Sequence, residues 1–526
     1  MATERWGLAE FVRTNGRERP DGPAITFGSE VLTWRDLDER SSRVANALSA
    51  SGLGAGDRIA FFGKNTPIYF DVLFGAAKIG AITVAVNWRL SAGEAGFIIN
   101  DAGAKVLFID TEFETVFAAL DGSLTTAKTV VAFGDRDDEL AGAEPFQWWL
   151  VDAGTEDPGH VGSADEVAIQ LYTSGTTGLP KGAMLSNSSM ALLNGLAQPM
   201  FGIDERSTTI VALPTFHIGG AGYALVGMAQ GAHTILLRDF DPAIVLEALA
   251  AHQVTNAFFV PAMLAALSAV PGAADRDYSA LRSIVYGASP ITDETLKSAI
   301  RTFGCEFFQV YGMTETTGAI TRLGAEDHDP DGPRAHLLRS AGKPFEWVEM
   351  RIVDPDTGED KSAGEVGELW TRSPQNMAGY WNNADATAQT ITADGWLRTG
   401  DAGFRDAEGY LFLTDRIKDM VVTGGENVYP IEVENVLADH PAVADVAVIG
   451  VPDPRWGETI KAIVVLRPGA PAAPAELIAF ARDRIAHFKC PTSVDFIDVL
   501  PRNPSGKILK RELREPYWVG HERRVS

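Results

Sequence analysis

Two cysteines, Cys305 and Cys490, are all that the 526 residues contain. Lying far apart, they exclude a disulfide framework and a cysteine-built zinc site, and they set a reducing cytoplasm as the expected location. No uninterrupted run of about 18 apolar residues occurs, so no membrane-spanning helix is expected. The segment 1–20 interleaves Glu4, Arg5, Glu10, Arg13, Arg17 and Glu18 without an apolar stretch, and neither a signal peptide nor a transit peptide is expected there. Positive charge is also scarce. Lys and Arg number 45 against 70 Asp and Glu, a net charge of −25. A field of that sign disfavours nucleic acid and anionic membranes as partners. Its plain consequence is solubility, and any anionic ligand would need local cationic sites to oppose it.

Hydrophobic residues make up 45% of the chain, enough for full-sized cores, and the length suggests two to four domains. The first third alternates helix and strand. Leu37, Val44 and Leu48 share one helix face ahead of Gly52, and a strand is expected over 58–62. An apolar helix opens at Pro67, and strands over 81–86 and 105–110 bracket a helix begun by the capping box Ser91/Glu94. Such alternation implies parallel sheets with covered faces, an α/β fold. The segment 121–164 is loosely patterned and is expected at the surface. From 342 to about 414 short strands are separated by Gly, Pro, Asp and Asn, which suggests a β-rich subdomain. Beyond it lies an αββαβ order with its own apolar pattern. The expected division is therefore residues 1–415 and a small α+β domain, 416–526.

The strongest local signal is Tyr172-Thr-Ser-Gly-Thr-Thr-Gly-Leu-Pro-Lys-Gly182, which follows the apolar segment 167–171. Glycines, hydroxyl residues and one lysine make a loop of N–H and O–H donors with a cation, suited to a polyphosphate. It is not the nucleoside-triphosphate loop G-x-x-x-x-G-K-[ST]: the spacing from Gly175 to Lys181 and the residue after the lysine differ. By composition alone, an ordinary surface loop explains it equally well.

At full length the string resembles the phosphate-binding signature of the adenylate-forming enzymes, which include acyl-CoA synthetases, aryl-CoA ligases, luciferases and peptide-synthetase adenylation domains. The resemblance spans the chain. Further family motifs recur in order: Pro214-Thr-Phe-His217, Tyr286-Gly-Ala-Ser289, Tyr311-Gly-Met-Thr-Glu-Thr316, Thr399-Gly-Asp401, Asp415-Arg-Ile-Lys-Asp419, Gly424-Gly-Glu-Asn427 and Pro501-Arg-Asn-Pro-Ser-Gly-Lys507. It implies a large domain of two doubly wound sheets with a barrel-like β-rich part, and a mobile C-terminal domain turning near Lys418.

The same resemblance implies the site. Thr173, Ser174, Gly175, Thr176, Thr177, Gly178 and Lys181 would hold the triphosphate of ATP, with Thr314 and Glu315 at Mg²⁺, a hard cation that takes oxygen ligands. Tyr311, followed by Gly312, would stack on adenine, with Gly287, Ala288 and Ser289 on the other side of the base. Asp401 would accept from the ribose hydroxyls beside Arg416. Lys507 would bridge the substrate carboxylate and the α-phosphate, stabilising charge that spreads in the transition state. No general base is required, because the attacking carboxylate is ionised near neutral pH. For the second half-reaction Gly424 and Gly425 would line a passage for the pantetheine of coenzyme A. Trp456, Gly457, Phe488 and Lys489 match positions that contact coenzyme A, Arg89 could reach its phosphates, and Cys490 departs from the basic residue of some relatives. His217 would stand at the acyl carbonyl. Gly219, Tyr223 and Val310 would border the acyl pocket, with Gly220 and Gly222 helping to open an apolar tunnel. Tight helix packing by small residues is the competing explanation for those glycines.

The resemblance thus points to an ATP-dependent ligase that forms acyl-AMP and transfers the acyl group to coenzyme A. A medium- or long-chain fatty acid is the first expectation and an aryl acid of cinnamate or benzoate type the second. A carrier protein or oxygen as acceptor, and a catalytically inactive nucleotide-binding module, are the alternatives. Retention of Lys181, Glu315, Asp401, Lys418 and Lys507 argues against inactivity. Oligomeric state stays open, a homodimer included.

Overall fold

The computed structural model describes residues 7–120, 122–135, 140–173, 179–196, 200–289, 291–355, 357–416, 419–423, 426–453, 455–502 and 508–519, without side chains at 415, 416, 426 and 427. Capping is legible from the start. Thr33 and Asp36 close a capping box on the helix Trp34–Ala50, and Ser91 with Glu94 closes another on Ala92–Ala102, each satisfying first-turn N–H groups. Pro67 takes the first position of the helix Pro67–Ala77, where its missing N–H costs nothing.

Two large, mostly parallel sheets result. The first runs in the order Gly379–Tyr380, Lys181–Ser186, Val167–Thr173, Ile82–Val86, Arg58–Phe62, Val106–Asp110, Thr129–Phe133, Glu144–Pro145. The second runs Lys343–Pro344, Gly318–Leu323, Glu306–Met313, Ser283–Gly287, Asn256–Phe259, Thr208–Val211, His233–Leu236, Pro23–Phe27, Glu30–Thr33. One continuous core spans both, joining Phe61 and Ile169 of the first sheet to Ile210 and Ile284 of the second through Phe70, Phe74 and Leu225 of intervening helices. Strands buried on both faces read as mostly apolar runs, which is why they were visible in the sequence.

A four-stranded antiparallel sheet follows, Glu349–Val353, Gly367–Arg372, Leu397–Arg405 and Leu411–Arg416. The C-terminal part forms a five-stranded sheet of Glu426–Val428, Val421–Thr423, Gly457–Leu466 and Val443–Asp453, with Ser493–Phe496 parallel to Gly457–Leu466. Its core is separate, built on Val433, Leu437, Val448, Val464 and Leu477. The fold is thus α/β with a smaller α+β unit.

Two segments differ from expectation. The stretch 121–164 is not all surface: Thr129–Phe133 and Glu144–Pro145 pair into the first sheet, and Phe133, Phe146 and Leu150 are buried. Its strands lie near the sheet edge and are short, so they lack the long apolar run of a central strand. The helix Lys510–Trp518 was not anticipated, because its residues are mostly charged or half-exposed. Among the described residues no helix is long and apolar enough to cross a membrane.

Candidate active site

The site is assembled where strands end. In open α/β sheets ligands gather at the carboxyl ends of the strands. Thr173 ends Val167–Thr173, Ala288 and Ser289 follow Ser283–Gly287, and Thr314 follows Glu306–Met313. These three places come from two different sheets, and Glu315, next to Thr314, connects the first to the third. It is 5% exposed, and its Oε1 accepts hydrogen bonds from the Thr173 hydroxyl at 3.1 Å and the Tyr380 hydroxyl at 2.8 Å. The Lys181 ammonium lies 5.3 Å from the centre of the Tyr380 ring.

A second pair is formed by Tyr311 and Asp401. The Tyr311 hydroxyl donates to Asp401 Oδ2 at 2.6 Å, joining the second sheet to the four-stranded sheet. Asp401 is 9% exposed, and its backbone N–H donates to the Thr399 hydroxyl at 3.1 Å. The backbone around these groups is specialised. A Cβ on Gly287 would lie 2.3 Å from the Val310 carbonyl oxygen, and one on Gly312 would lie 1.8 Å from that of Gly318, so neither position accepts a side chain. Ala288 holds φ at +69°, a left-handed conformation that costs a non-glycine residue energy and recurs at ligand sites.

Behind the phosphate-loop signature a polar network fixes both flanking strands. Tyr172 donates to Asp101 Oδ2 at 2.5 Å, Gln170 donates to Tyr172, and Trp381 donates through Nε1 to the Asp101 carbonyl at 2.9 Å. The Arg58 guanidinium lies 3.3 Å from the centre of the Trp381 ring. Burial and Asp101 push the Tyr172 phenol far above its ordinary range, so it remains a donor.

His217 precedes the helix Ile218–Ala229. Burial, then the charge of Arg89, lower its pKa to about 4, so the imidazole is neutral, and its buried Nε2 has no hydrogen-bond partner among the described residues. Gly219 and Tyr223, one turn apart, face Phe258: a Cβ on Gly219 would lie 3.2 Å from Phe258 Cε1, and the Tyr223 and Phe258 ring centres are 5.7 Å apart. The neighbouring glycines do other work. A Cβ on Gly220 would lie 2.1 Å from the Pro214 carbonyl oxygen, and one on Gly222 would press on Ile218 and Leu193. Gly219 and Gly222, three residues apart, lie on neighbouring parts of one helix face, and Gly220 is turned about 100° from Gly219 toward Pro214. Val310, on the register-paired strand next to Gly287, keeps part of its surface accessible.

On the small domain Lys489 is held by Glu432 in a two-pronged ion pair, 2.7 and 2.8 Å, and Trp456 is 47% exposed beneath Arg455. No hydrogen bond or ion pair among the described residues links Trp456 or Lys489 to the Glu315 cluster. Cys490 is a core residue, 3% exposed, with its thiol directed at the Ile485 and Ala486 carbonyls. Ser174, Gly175, Thr176, Thr177, Gly178, Lys418, Gly424, Gly425 and Lys507 lie outside the described residues, as does the side chain of Arg416, whose backbone pairs with Asp401.

Tyr380, Trp381, Asp101 and Arg58 were not singled out from the sequence. The run Gly379-Tyr380-Trp381 inside the β-rich stretch was the available signal.

Known proteins resemble this chain along nearly its whole length. Residues 12–381 match the AMP-binding enzyme family, and residues 432–507 match the AMP-binding enzyme C-terminal domain. The chain is 40% identical to the fatty acid–[acyl-carrier-protein] ligase ScoC of Streptomyces coeruleorubidus, covering 99% of this chain and 98% of that one. It is 39% identical to a feruloyl-CoA synthase of Amycolatopsis sp., over 97% of this chain and 99% of the relative. The crystal structure of the anthranilate CoA ligase AuaEII with anthranoyl-AMP superposes with a TM-score of 0.89 at 27% identity, covering 98% of each chain. This chain therefore belongs to the AMP-binding, adenylate-forming enzymes, as an AMP-forming acid–thiol ligase.

Proposed function

We propose that this protein joins ATP and a carboxylic acid into an acyl-adenylate, releasing pyrophosphate, and then passes the acyl group to the thiol of coenzyme A, releasing AMP. The observation that carries the reading is the convergence of Thr173, Lys181 and Glu315 at strand ends, beside the Tyr311–Asp401 pair. Glu315 is a buried carboxylate that makes no ion pair among the described residues. Such a charge needs a counter-charge, and Mg²⁺ held by one or two carboxylates, phosphates and waters meets that need. Glu315 and Thr314 are the protein groups that would hold it, and when bound it would neutralise charge on the nucleotide phosphates. Asp401 takes the ribose hydroxyls, Tyr311 the adenine face, and Lys507 the carboxylate and α-phosphate. The small domain then turns at Lys418 to bring Gly424, Gly425, Trp456 and Lys489 toward the thiol carrier.

For the acid, an aryl acid is the first reading, supported by the similarity to a feruloyl-CoA synthase. The medium- or long-chain fatty acid expected from the glycine run is the second reading, supported by the similarity to ScoC. A carrier protein is the alternative acceptor on the same ground. Incubation with ATP, Mg²⁺ and a panel of benzoate, cinnamate and fatty acids, with and without coenzyme A, tests all of this by mass spectrometry. Acyl-CoA appearing only in complete mixtures is expected. Failure of every acid to release AMP would refute the reading.

A further inference from the structure

We propose that Tyr380 is a positioning residue for adenylation: its hydroxyl fixes the Glu315 carboxylate to receive the nucleotide-bound divalent cation, and its ring supports Lys181 beside it. This rests on the proposed function and adds a residue that lies outside the motifs quoted above.

Both hydrogen bonds to the Glu315 carboxylate converge on Oε1, from Tyr380 at 2.8 Å and Thr173 at 3.1 Å. Among the described residues no donor reaches Oε2. One oxygen is thus anchored and the carboxylate cannot spin, while the other is left to a ligand. A hydroxyl bound to a charged carboxylate makes a charge-assisted bond, roughly twice as strong as a neutral one. On the other side of Tyr380, Lys181 lies 5.3 Å from the ring centre, within reach of a cation–π attraction. One side chain therefore touches both the carboxylate and the cation assigned to the triphosphate.

The surroundings over-determine where Tyr380 stands. The two-residue strand Gly379–Tyr380 pairs with Met184 and Ala183 of the strand that Lys181 begins. Trp381 donates its backbone N–H to the Gly182 carbonyl at 2.8 Å, and Met377 donates to the Glu315 carbonyl at 2.8 Å. The segment 377–381 is thereby tied at one end to the turn that carries Glu315 and at the other to the strand that carries Lys181. Arg58 on Trp381, and Trp381 on Asp101, brace the far side. At 8% exposure Tyr380 could be an ordinary core residue, but a core role alone gives no reason for its hydroxyl to meet the carboxylate.

The test separates the hydroxyl from the ring. Mn²⁺ binding in the presence of ATP, without acid, is measured by electron paramagnetic resonance for the wild type, Tyr380→Phe and Tyr380→Leu, with thermal unfolding recorded alongside. Loss of one hydrogen bond to a charged group should weaken Mn²⁺ binding by about tenfold in Tyr380→Phe. Metal-free ATP should bind Tyr380→Phe as it does the wild type, and should bind Tyr380→Leu several-fold less tightly, because Lys181 loses its ring. A folded Tyr380→Phe with Mn²⁺ affinity within twofold of wild type overturns the hydroxyl's role, whatever its melting temperature. Equal ATP affinities of the Phe and Leu variants overturn the ring's role. A wild type that binds neither ATP nor Mn²⁺ with ATP would instead overturn the functional reading beneath both.

Discussion

Replacing Asp401 by Asn tests the adenosine side most directly. The carboxylate is 9% exposed, and Oδ2 is taken by the Tyr311 hydroxyl at 2.6 Å. The ribose hydroxyls would share what acceptor capacity is left. An amide keeps the shape but turns one acceptor into a donor and removes the charge from the other. A hydrogen bond to a charged group contributes about 1.5–3 kcal/mol, and about 1.4 kcal/mol is tenfold, so kcat/KM for ATP should fall roughly 10- to 150-fold. The KM for the acid should move far less. Pyrophosphate release at varied ATP, repeated with 2′-deoxy- and 3′-deoxy-ATP, makes a double-mutant cycle in which one mutation is in the ligand. The wild type should discriminate against at least one deoxynucleotide, and Asp401→Asn should lose most of that discrimination. Unchanged discrimination in a folded variant would mean that Asp401 serves Tyr311 and not the ribose.

Other expectations follow from single contacts. Gly220→Ala places a methyl 2.1 Å from a backbone oxygen, so the helix must shift; a destabilisation of about 1–3 kcal/mol is expected by chemical denaturation, whereas Gly219→Ala, 3.2 Å from the edge of a side chain, should cost much less. His217, with its pKa lowered to about 4 by burial and Arg89, stays neutral when folded but takes a proton near pH 6.5 when unfolded. Its contribution is therefore fully present above about pH 6.5 and lost as pH falls toward 4, and His217→Gln should flatten the melting temperature over that window. Lys507→Ala should cut adenylation by about two to four powers of ten while sparing thioester formation from supplied acyl-AMP. Lys418→Pro should do the reverse, because a fixed φ removes the second backbone state. If each variant loses both half-reactions equally, the two lysines do not divide the steps.

Much of this protein was legible in the sequence because the relevant physics is local. Parallel strands covered on both faces are mostly apolar, so 58–62 and 167–171 declared themselves despite Arg58 and Gln170, and Ser91 with Glu94 announced a helix by capping it. The nucleotide motifs were equally visible, since loops that approach phosphate or backbone closely are limited to a few residue types. The direction of the glycines after His217 was not legible: composition records three small residues, but only helical phase sends Gly219 toward Phe258 and Gly220 into Pro214. Nor was Tyr380, whose partner Glu315 is separated from it by 65 positions and a sheet boundary. Sequence determined which chemistry each segment could offer; the pairing of Gly379–Tyr380 with the strand after the phosphate loop decided which groups meet, because a buried hydroxyl and a buried carboxylate satisfy each other only when two sheets bring them within 3 Å.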